Sequence, residues 1–275
     1  MTAPNRFQGL VLASAFLSLF ALDAQAQKYK ATVIKITDGD TLKIIPDNAQ
    51  PGDKPVDIRM LGYDTPELHL FAKVNGKSRK FVQKYGPEST DAMVALLHAK
   101  PAVLHGTRLV KNAEDVTTGK PIRVEVETAG LDQHDRTLGT VYFTKADGKV
   151  VDVNLEIVKL GWAHPYIYCA HGACPPDFLK LSKAEEFSKA CKEARQKHLG
   201  IFNAQDPIKE TASEFRRVSA QRQPYQYIGV LETKTVYPPG ADADRDASGE
   251  YKLDPCSVIR FDTEELAYDL GFRKP

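Results

Sequence analysis

Apolar and polar residues alternate from Tyr29 onward. Tyr29, Ala31, Val33 and Lys35 fall on one side of an extended chain, and Thr32, Ile34 and Ile36 on the other. A period of two marks a half-buried strand. Asp38-Gly39 interrupts the alternation and Thr41–Ile45 resumes it, which reads as a hairpin. A third strand is predicted at Val56–Leu61, running into the loop Tyr63-Asp64-Thr65-Pro66-Glu67. These three strands make an antiparallel meander. After Pro87-Glu88 the period lengthens: Met93, Leu96 and Leu97 recur at helical spacing, with acids in the first turn where the helix dipole favours them. Strand-like stretches return at Ile122–Glu127 and Leu138–Phe143, around the polar loop Asp132-Gln133-His134-Asp135-Arg136. A short helix is predicted over Val153–Leu160, ended by Gly161. A longer one spans Asp177–His198, ended by Gly200, with Phe187, Cys191 and Ala194 as its core stripe.

Five strands with intervening helices predict an α+β, mainly β fold: a closed five-stranded barrel of the oligonucleotide-binding type with three helices. Past Phe202 the character changes. Residues 203–222 are polar and mixed in charge, like a linker or an exposed helix; Tyr225–Tyr237 and Tyr251–Phe261 look like strands separated by Pro238-Pro239-Gly240. At the other end, Arg6, the apolar run Leu10–Leu22 and Ala24-Gln25-Ala26 have the order of a cleaved signal peptide. The run falls short of the roughly 20 residues that a spanning helix needs. The expected organisation is a signal peptide over 1–26, a main domain over 27–202 and a C-terminal extension over 203–275. The mature protein is expected to be secreted or periplasmic, without a membrane anchor, and monomeric.

Composition narrows the function. With 42% hydrophobic and 27% charged residues in 275, collagen-like, disordered and all-membrane classes are excluded. Lys+Arg is 37 against Asp+Glu 36, a net charge of +1, so the chain lacks the basic excess usual for a DNA-binding regulator. A polyanionic partner must be held by local positive groups. Export changes how the four cysteines read. Four cysteines allow three disulfide connectivities. Cys169 and Cys174 could close a short loop, leaving Cys191 for Cys256; a zinc site of Cys169, His171 and Cys174, which lacks a convincing fourth ligand, and free buried thiols are the alternatives.

The chemistry-bearing residues are ordinary singly. Asp40 suits a solvated hairpin, Asp64-Thr65-Pro66-Glu67 a turn and helix cap, Arg59 a surface charge and Arg136 a loop ion pair. Together they form a set. Asp40 and Asp64, at adjacent strand ends, are hard oxygen ligands for Ca²⁺ or Mg²⁺; Glu67 is free to hold a water, and Arg59 and Arg136 can grip a phosphate. A Lewis acid, a base for water and cations for growing negative charge suffice for phosphodiester hydrolysis. Strict alternation puts Arg59 and Asp64 on opposite faces of a strand, so they converge only where the strand ends or bends, and Gly62 is the place. In the tail, Asp242-x-Asp244-x-Asp246-x-Ser248 imitates an EF-hand start, but Ala247 replaces the loop glycine and Leu253 the final Glu, which leaves a solvated acidic turn.

Asp38-Gly39-Asp40-Thr41, Ile58-Arg59-Met60-Leu61-Gly62-Tyr63-Asp64-Thr65-Pro66-Glu67, Lys84-Tyr85-Gly86-Pro87-Glu88 and Asp132 to Arg136 resemble the staphylococcal nuclease (thermonuclease) family. So do Ala146 to Val151, Val158 to Ala163 and Leu199 to Phe202, in order over about residues 30–202. The resemblance implies the barrel with three helices and a Ca²⁺-dependent nuclease acting on DNA and RNA and leaving 3′-phosphates. It puts Arg59, Glu67 and Arg136 on catalytic positions, and Asp40, Asp64 and the backbone carbonyl of Thr65 on calcium ligands. Gln133-His134-Asp135 departs from the family's Lys-Tyr-Gly, removing a tyrosine and adding a carboxylate. The alternative is a barrel of the same fold that binds nucleic acid without cutting it.

Overall fold

The computed structural model describes residues 27–100, 103–104, 107–108, 110–111, 113–132, 134–170 and 174–275. The expected signal peptide, Gln133 and His171 lie outside them. Strands β1 (Lys28–Ile36), β2 (Thr41–Pro46) and β3 (Val56–Met60) form the predicted antiparallel meander, with Val33 opposite Ile44 and Leu42 opposite Ile58. The register shifts between Val33 and Lys35. The extra residue of such a bulge re-aims the chain. Ile36 therefore joins Ala31 and Val33 in the core instead of facing away from them as strict alternation required.

Chain order then gives β4 (Gly62–Asp64), the hairpin β5 (Leu70–Val74) and β6 (Lys77–Phe81), helix α1 (Gly86–Leu96), and three two-residue strands: β7 (Val103–Leu104), β8 (Thr107–Arg108) and β9 (Val110–Lys111). Strands β10 (Arg123–Leu131) and β11 (Thr137–Thr144) pair with each other; β10 also pairs with β1, and β11 runs parallel to β3. That last pairing closes the five-stranded barrel. It is short, and buried Asn154 strengthens it. The Asn154 side chain accepts from the Val141 N–H at 2.9 Å and donates to the carbonyls of Leu61 (2.9 Å) and Gly139 (3.1 Å), the latter also accepting from the Leu61 N–H (3.0 Å), so one buried amide ties both sides of the seam. Asn154 is delivered by α2 (Val153–Lys159), which follows β12 (Val150–Asp152) and is capped by Asp152 accepting from the Leu155 N–H.

The expected helix over 177–198 is two helices, α3 (Phe178–Leu181) and α4 (Ala184–Gln196). Between them Lys183 turns left-handed at φ 53°, and its ammonium is 2.6 Å from the capping Asp152, which fixes the break against α2. The stripe Phe187, Cys191 and Ala194 is buried as predicted. Both expected disulfides, Cys169–Cys174 and Cys191–Cys256, are present.

The C-terminal segment packs onto the barrel end. It carries α5 (Ala212–Ser219), β14 (Tyr227–Val230), β15 (Thr235–Tyr237), β16 (Val258–Phe261) and α6 (Glu264–Asp269). Strand β13 (His164–Cys169) pairs antiparallel with β4 and parallel with β16, so one sheet of order β15-β14-β16-β13-β4 spans both parts of the chain. Cys256 and the two-pronged contact of Arg195 with Asp254 (2.7 and 2.8 Å) fasten this sheet to α4. Tyr251 makes only an isolated bridge to Arg245 and does not begin a strand. The aspartate-rich stretch is a turn in which Asp246 accepts from the N–H groups of Ser248 and Glu250, as expected of an acidic turn. Among the described residues no helix is long and apolar enough to cross a membrane.

His164, paired with Asp64 across β13 and β4, is buried edge-on to Phe202, and burial lowers its pKa to about 4. The unfolded chain then binds the extra proton between about pH 6.5 and pH 4, so stability falls with acidification across that window and levels off below it. The loss from this residue is about 3 kcal/mol. Urea unfolding between pH 7 and pH 4.5 should show a shallower acid loss in His164→Leu than in the parent; equal slopes would refute the assignment.

Candidate active site

Asp40 leaves the β1–β2 turn, where its N–H donates to Asp38 (3.1 Å) and its carbonyl accepts from the Met60 N–H (2.9 Å). Its carboxylate accepts from the N–H and hydroxyl of Thr65 (3.1 and 3.0 Å) and from Thr41 Oγ1 (3.1 Å). The turn and the Thr65 loop pack closely: a Cβ on Gly39 would sit 2.6 Å from Thr65 Cγ2. Arg59 lies on β3 opposite Thr41. β3 ends at Met60, Gly62 takes φ 88°, and β4 enters the other sheet, which brings Asp64 back to Arg59 as the convergence argument required. Arg59 Nη2 donates to Asp64 Oδ1 at 2.5 Å, while Nη1 is 2.8 Å from Asp40 Oδ1 without hydrogen-bond geometry. One guanidinium thus faces two buried carboxylates.

Glu67 is held at its backbone by buried Gln83, whose side chain accepts from the Glu67 N–H (3.1 Å) and whose own N–H donates to the Glu67 carbonyl (2.8 Å). The carboxylate of Glu67 meets a residue the sequence pattern did not nominate, Arg216 of α5. Arg216 Nη1 donates to Glu67 Oε1 at 2.5 Å and to Asp64 Oδ1 at 2.9 Å, and Nη2 donates to Asp64 Oδ2. Helix α5 is N-capped by Thr211, whose hydroxyl accepts from the Glu214 N–H and whose own N–H donates to the Tyr251 hydroxyl (2.8 Å), while the Glu214 carboxylate is held by Arg245 (2.7 Å) and the same Tyr251 hydroxyl (2.6 Å). Thr211-x-x-Glu214 was a legible helix start. Nothing in the sequence pairs Arg216 with Glu67, 149 positions away.

The electrostatics follow from crowding acids in a dry site. Burial and the neighbouring Asp40 push the Asp38 carboxyl well above its usual range. Burial opposes ionisation of Asp40 too, but Arg59 and the Thr65 N–H outweigh it and hold its pKa below the usual value. Burial raises Glu67 despite the opposing pull of Arg216, which favours a proton acceptor stronger than a free carboxylate. Both guanidinium groups stay charged: burial disfavours the charge, and the facing acids overcome it.

Arg136 is placed differently. It sits one position before the Thr137–Ile58 register pair, and its Nε and Nη2 bond to Asp132 at 2.8 and 2.7 Å. Asp132 also accepts from the N–H groups of His134 and Arg136, so the loop is tied on itself. Among the described residues, Arg136 makes no hydrogen bond or ion pair to Asp40, Arg59, Asp64 or Glu67. Nor do three or more His, Cys, Asp or Glu side chains converge there in metal-binding geometry. The chemistry of the donors nevertheless fits a hard cation: Asp40 and Asp64, both carboxylates, share one guanidinium, and Thr65 lies against Asp40.

Fold and site together define a class, an oligonucleotide-binding-type barrel carrying a cluster of acids and arginines at its strand ends. Residues 57–204 match the model of the family described as staphylococcal nuclease homologue, and the chain belongs to that family. It is 26% identical to Endonuclease YhcR of Bacillus subtilis (strain 168) over 212 residues, 77% of this chain but 14% of that protein. It is 24% identical over 177 residues to the uncharacterized protein MJ1439 of Methanocaldococcus jannaschii, covering 64% of this chain and 73% of the relative.

Gly62 makes the convergence of Arg59 and Asp64 possible, since its φ is positive and a Cβ there would lie 2.3 Å from the Phe187 ring. Gly62→Ala should destabilise the fold by about 1–3 kcal/mol, the usual cost of overpacking. Denaturant unfolding checks this; a change within 0.5 kcal/mol, the ~0.5 kcal/mol scatter of neutral surface substitutions, would count against it.

Proposed function

We propose that this protein is an exported Ca²⁺-dependent nuclease that hydrolyses phosphodiester bonds of DNA and RNA. The observation that carries the reading is the gathering of buried Asp40 and Asp64 with half-buried Arg59 and Glu67, the last joined to Asp64 through Arg216, on a barrel of this family. Asp40, Asp64 and the Thr65 carbonyl would hold the cation. When bound, Ca²⁺ supplies a Lewis acid that polarises the phosphate. Glu67 orients a water and takes its proton as the water oxygen bonds to phosphorus. The bond from phosphorus to the 5′ oxygen breaks, leaving a 3′-phosphate and, after protonation, a 5′-hydroxyl. Arg59 stabilises the charge that grows on the phosphoryl oxygens. Arg136, once released from Asp132, does so on the leaving-group side. Two disulfides support maturation in an oxidising compartment after cleavage at Ala26.

DNA and RNA should be degraded with Ca²⁺ and left intact with chelator. Glu67→Gln should keep nucleic-acid binding while single-turnover cleavage falls ~10²–10⁴-fold. Robust cleavage in chelator would refute the metal role of Asp40 and Asp64. Binding without any cleavage by the parent would favour the non-catalytic alternative.

A chain of net charge +1 needs a local grip on a polyanion, and the β5–β6 hairpin supplies one. Asn75-Gly76, both at positive φ, make its tight turn. No acid occurs between Glu67 and Glu88, and Lys73, Lys77, Arg79 and Lys80 are exposed. Phe71, 66% exposed, lies opposite Lys80 and shares a face with Lys73, an aromatic platform with flanking cations. This basic run was legible in the sequence and was not nominated there. Lys73→Ala with Lys80→Ala should lower the slope of log affinity against log salt by about 1–2, measured on DNA in chelator. An unchanged slope would remove the hairpin from the interface.

A further inference from the structure

Arg216 comes from outside the segment that matches the family, yet it makes the densest contacts in the candidate site. Its two terminal nitrogens cover both oxygens of Asp64 and one of Glu67. With Arg59 on Asp64 Oδ1 as well, neither Asp64 oxygen is left without a guanidinium partner. A divalent cation bound through Asp64 needs an oxygen lone pair pointing at it, within about 2.3–2.6 Å for Ca²⁺. Guanidinium donors take three of the roughly four lone-pair sites of Asp64, two of them from Arg216, whose charge also opposes a second cation there. Glu67, proposed to hold the water, is engaged by the same group.

The tether is suited to release. Helix α5 has eight residues, of which only Ala212 is buried, so little apolar contact opposes its movement. Its anchor is polar, through Thr211, Glu214, Arg245 and Tyr251. The guanidinium also lies 5.6 Å from the Tyr166 ring centroid, and the guanidinium of buried Arg260 lies 5.0 Å from the same ring, so an aromatic face is at hand on the neighbouring sheet.

We propose that Arg216 is a built-in competitor of the divalent cation: its ion pairs with Asp64 and Glu67 and the binding of Ca²⁺ at Asp64 are mutually exclusive, so the C-terminal segment sets the affinity of the site for metal. The inference rests on the metal reading of Asp64 given above. Linkage makes the competition reciprocal. If Arg216 weakens Ca²⁺ binding by some factor, Ca²⁺ weakens the docking of Arg216 by the same factor.

Both halves are measurable on the full mature chain without substrate or turnover. Calorimetric titration with Ca²⁺ alone should show Arg216→Ala and Arg216→Gln binding more tightly than the parent by roughly 5- to 150-fold, the usual range of coupling between sites. Arg216→Lys, which keeps the charge and loses the fork, should fall between. Arg217→Ala, on the same helix, should match the parent. In the unmutated protein, saturating Ca²⁺ should speed hydrogen exchange of the amides in residues 212–219, which tests the inference even if a variant fails to fold. Equal Ca²⁺ affinity in the parent and Arg216→Gln, or slower exchange in 212–219 on adding Ca²⁺, would overturn it while leaving the metal reading standing. Absence of Ca²⁺ binding at millimolar concentration in the parent and both variants would overturn the metal reading and this inference together.

Discussion

Two buried carboxylates facing one arginine is the constraint around which this molecule is arranged. Asp40 and Asp64 are almost wholly removed from water, and two like charges sharing a buried site are unfavourable without a counter-charge. Arg59 supplies it, and in doing so fixes where β3 must stop and how β4 must return. The break at Leu61, the left-handed Gly62 and the transfer of the chain to a second sheet are the backbone's answer. Asn154 donates to the carbonyls of Leu61 and Gly139 and so ties the two strands where the chain leaves the ladder.

The same charge logic extends outward. Asp38 and Glu67 add two further acids to a site with one internal arginine, and burial drives both toward their neutral forms. A second guanidinium from α5 offsets part of that excess. Buried ion pairs of this kind contribute little net stability, because desolvation cancels most of the attraction. They specify geometry instead. Here they decide how the carboxylate oxygens of Asp40, Asp64 and Glu67 are oriented, which for a family of nucleases is the property that chemistry depends on.

The C-terminal segment is structurally continuous with the barrel end. A parallel β13–β16 pairing, the Cys191–Cys256 bridge and the Gln83 bond to the Glu210 carbonyl (2.9 Å) join it to elements of the main domain on three sides. Gln83 thereby links the backbone of Glu67 to the chain that leads into α5. Backbone placement of the proposed base and placement of Arg216 are therefore not independent.

The sequence alone determined the barrel. Its strands alternate with a period of two, the β1–β2 turn carries Asp-Gly, and glycine follows the helices at Gly161 and Gly200, so local chemistry and the hydrophobic pattern agree. It suggested, without fixing, the pairing Cys169–Cys174 and Cys191–Cys256 out of three possible connectivities, and it offered Gly62 as a place where a bend could bring Arg59 and Asp64 together; the structure settled both. Tertiary structure decided the rest. The bulge that turns Ile36 inward answers to barrel curvature, and the break at Lys183 answers to Asp152 on another helix. Arg136 stays with Asp132 because a partner in its own loop is within reach. Arg216 reaches Asp64 and Glu67 because Gln83, Arg245 and Tyr251 hold the start of its helix in place, and no periodicity in a sequence encodes contacts of that range.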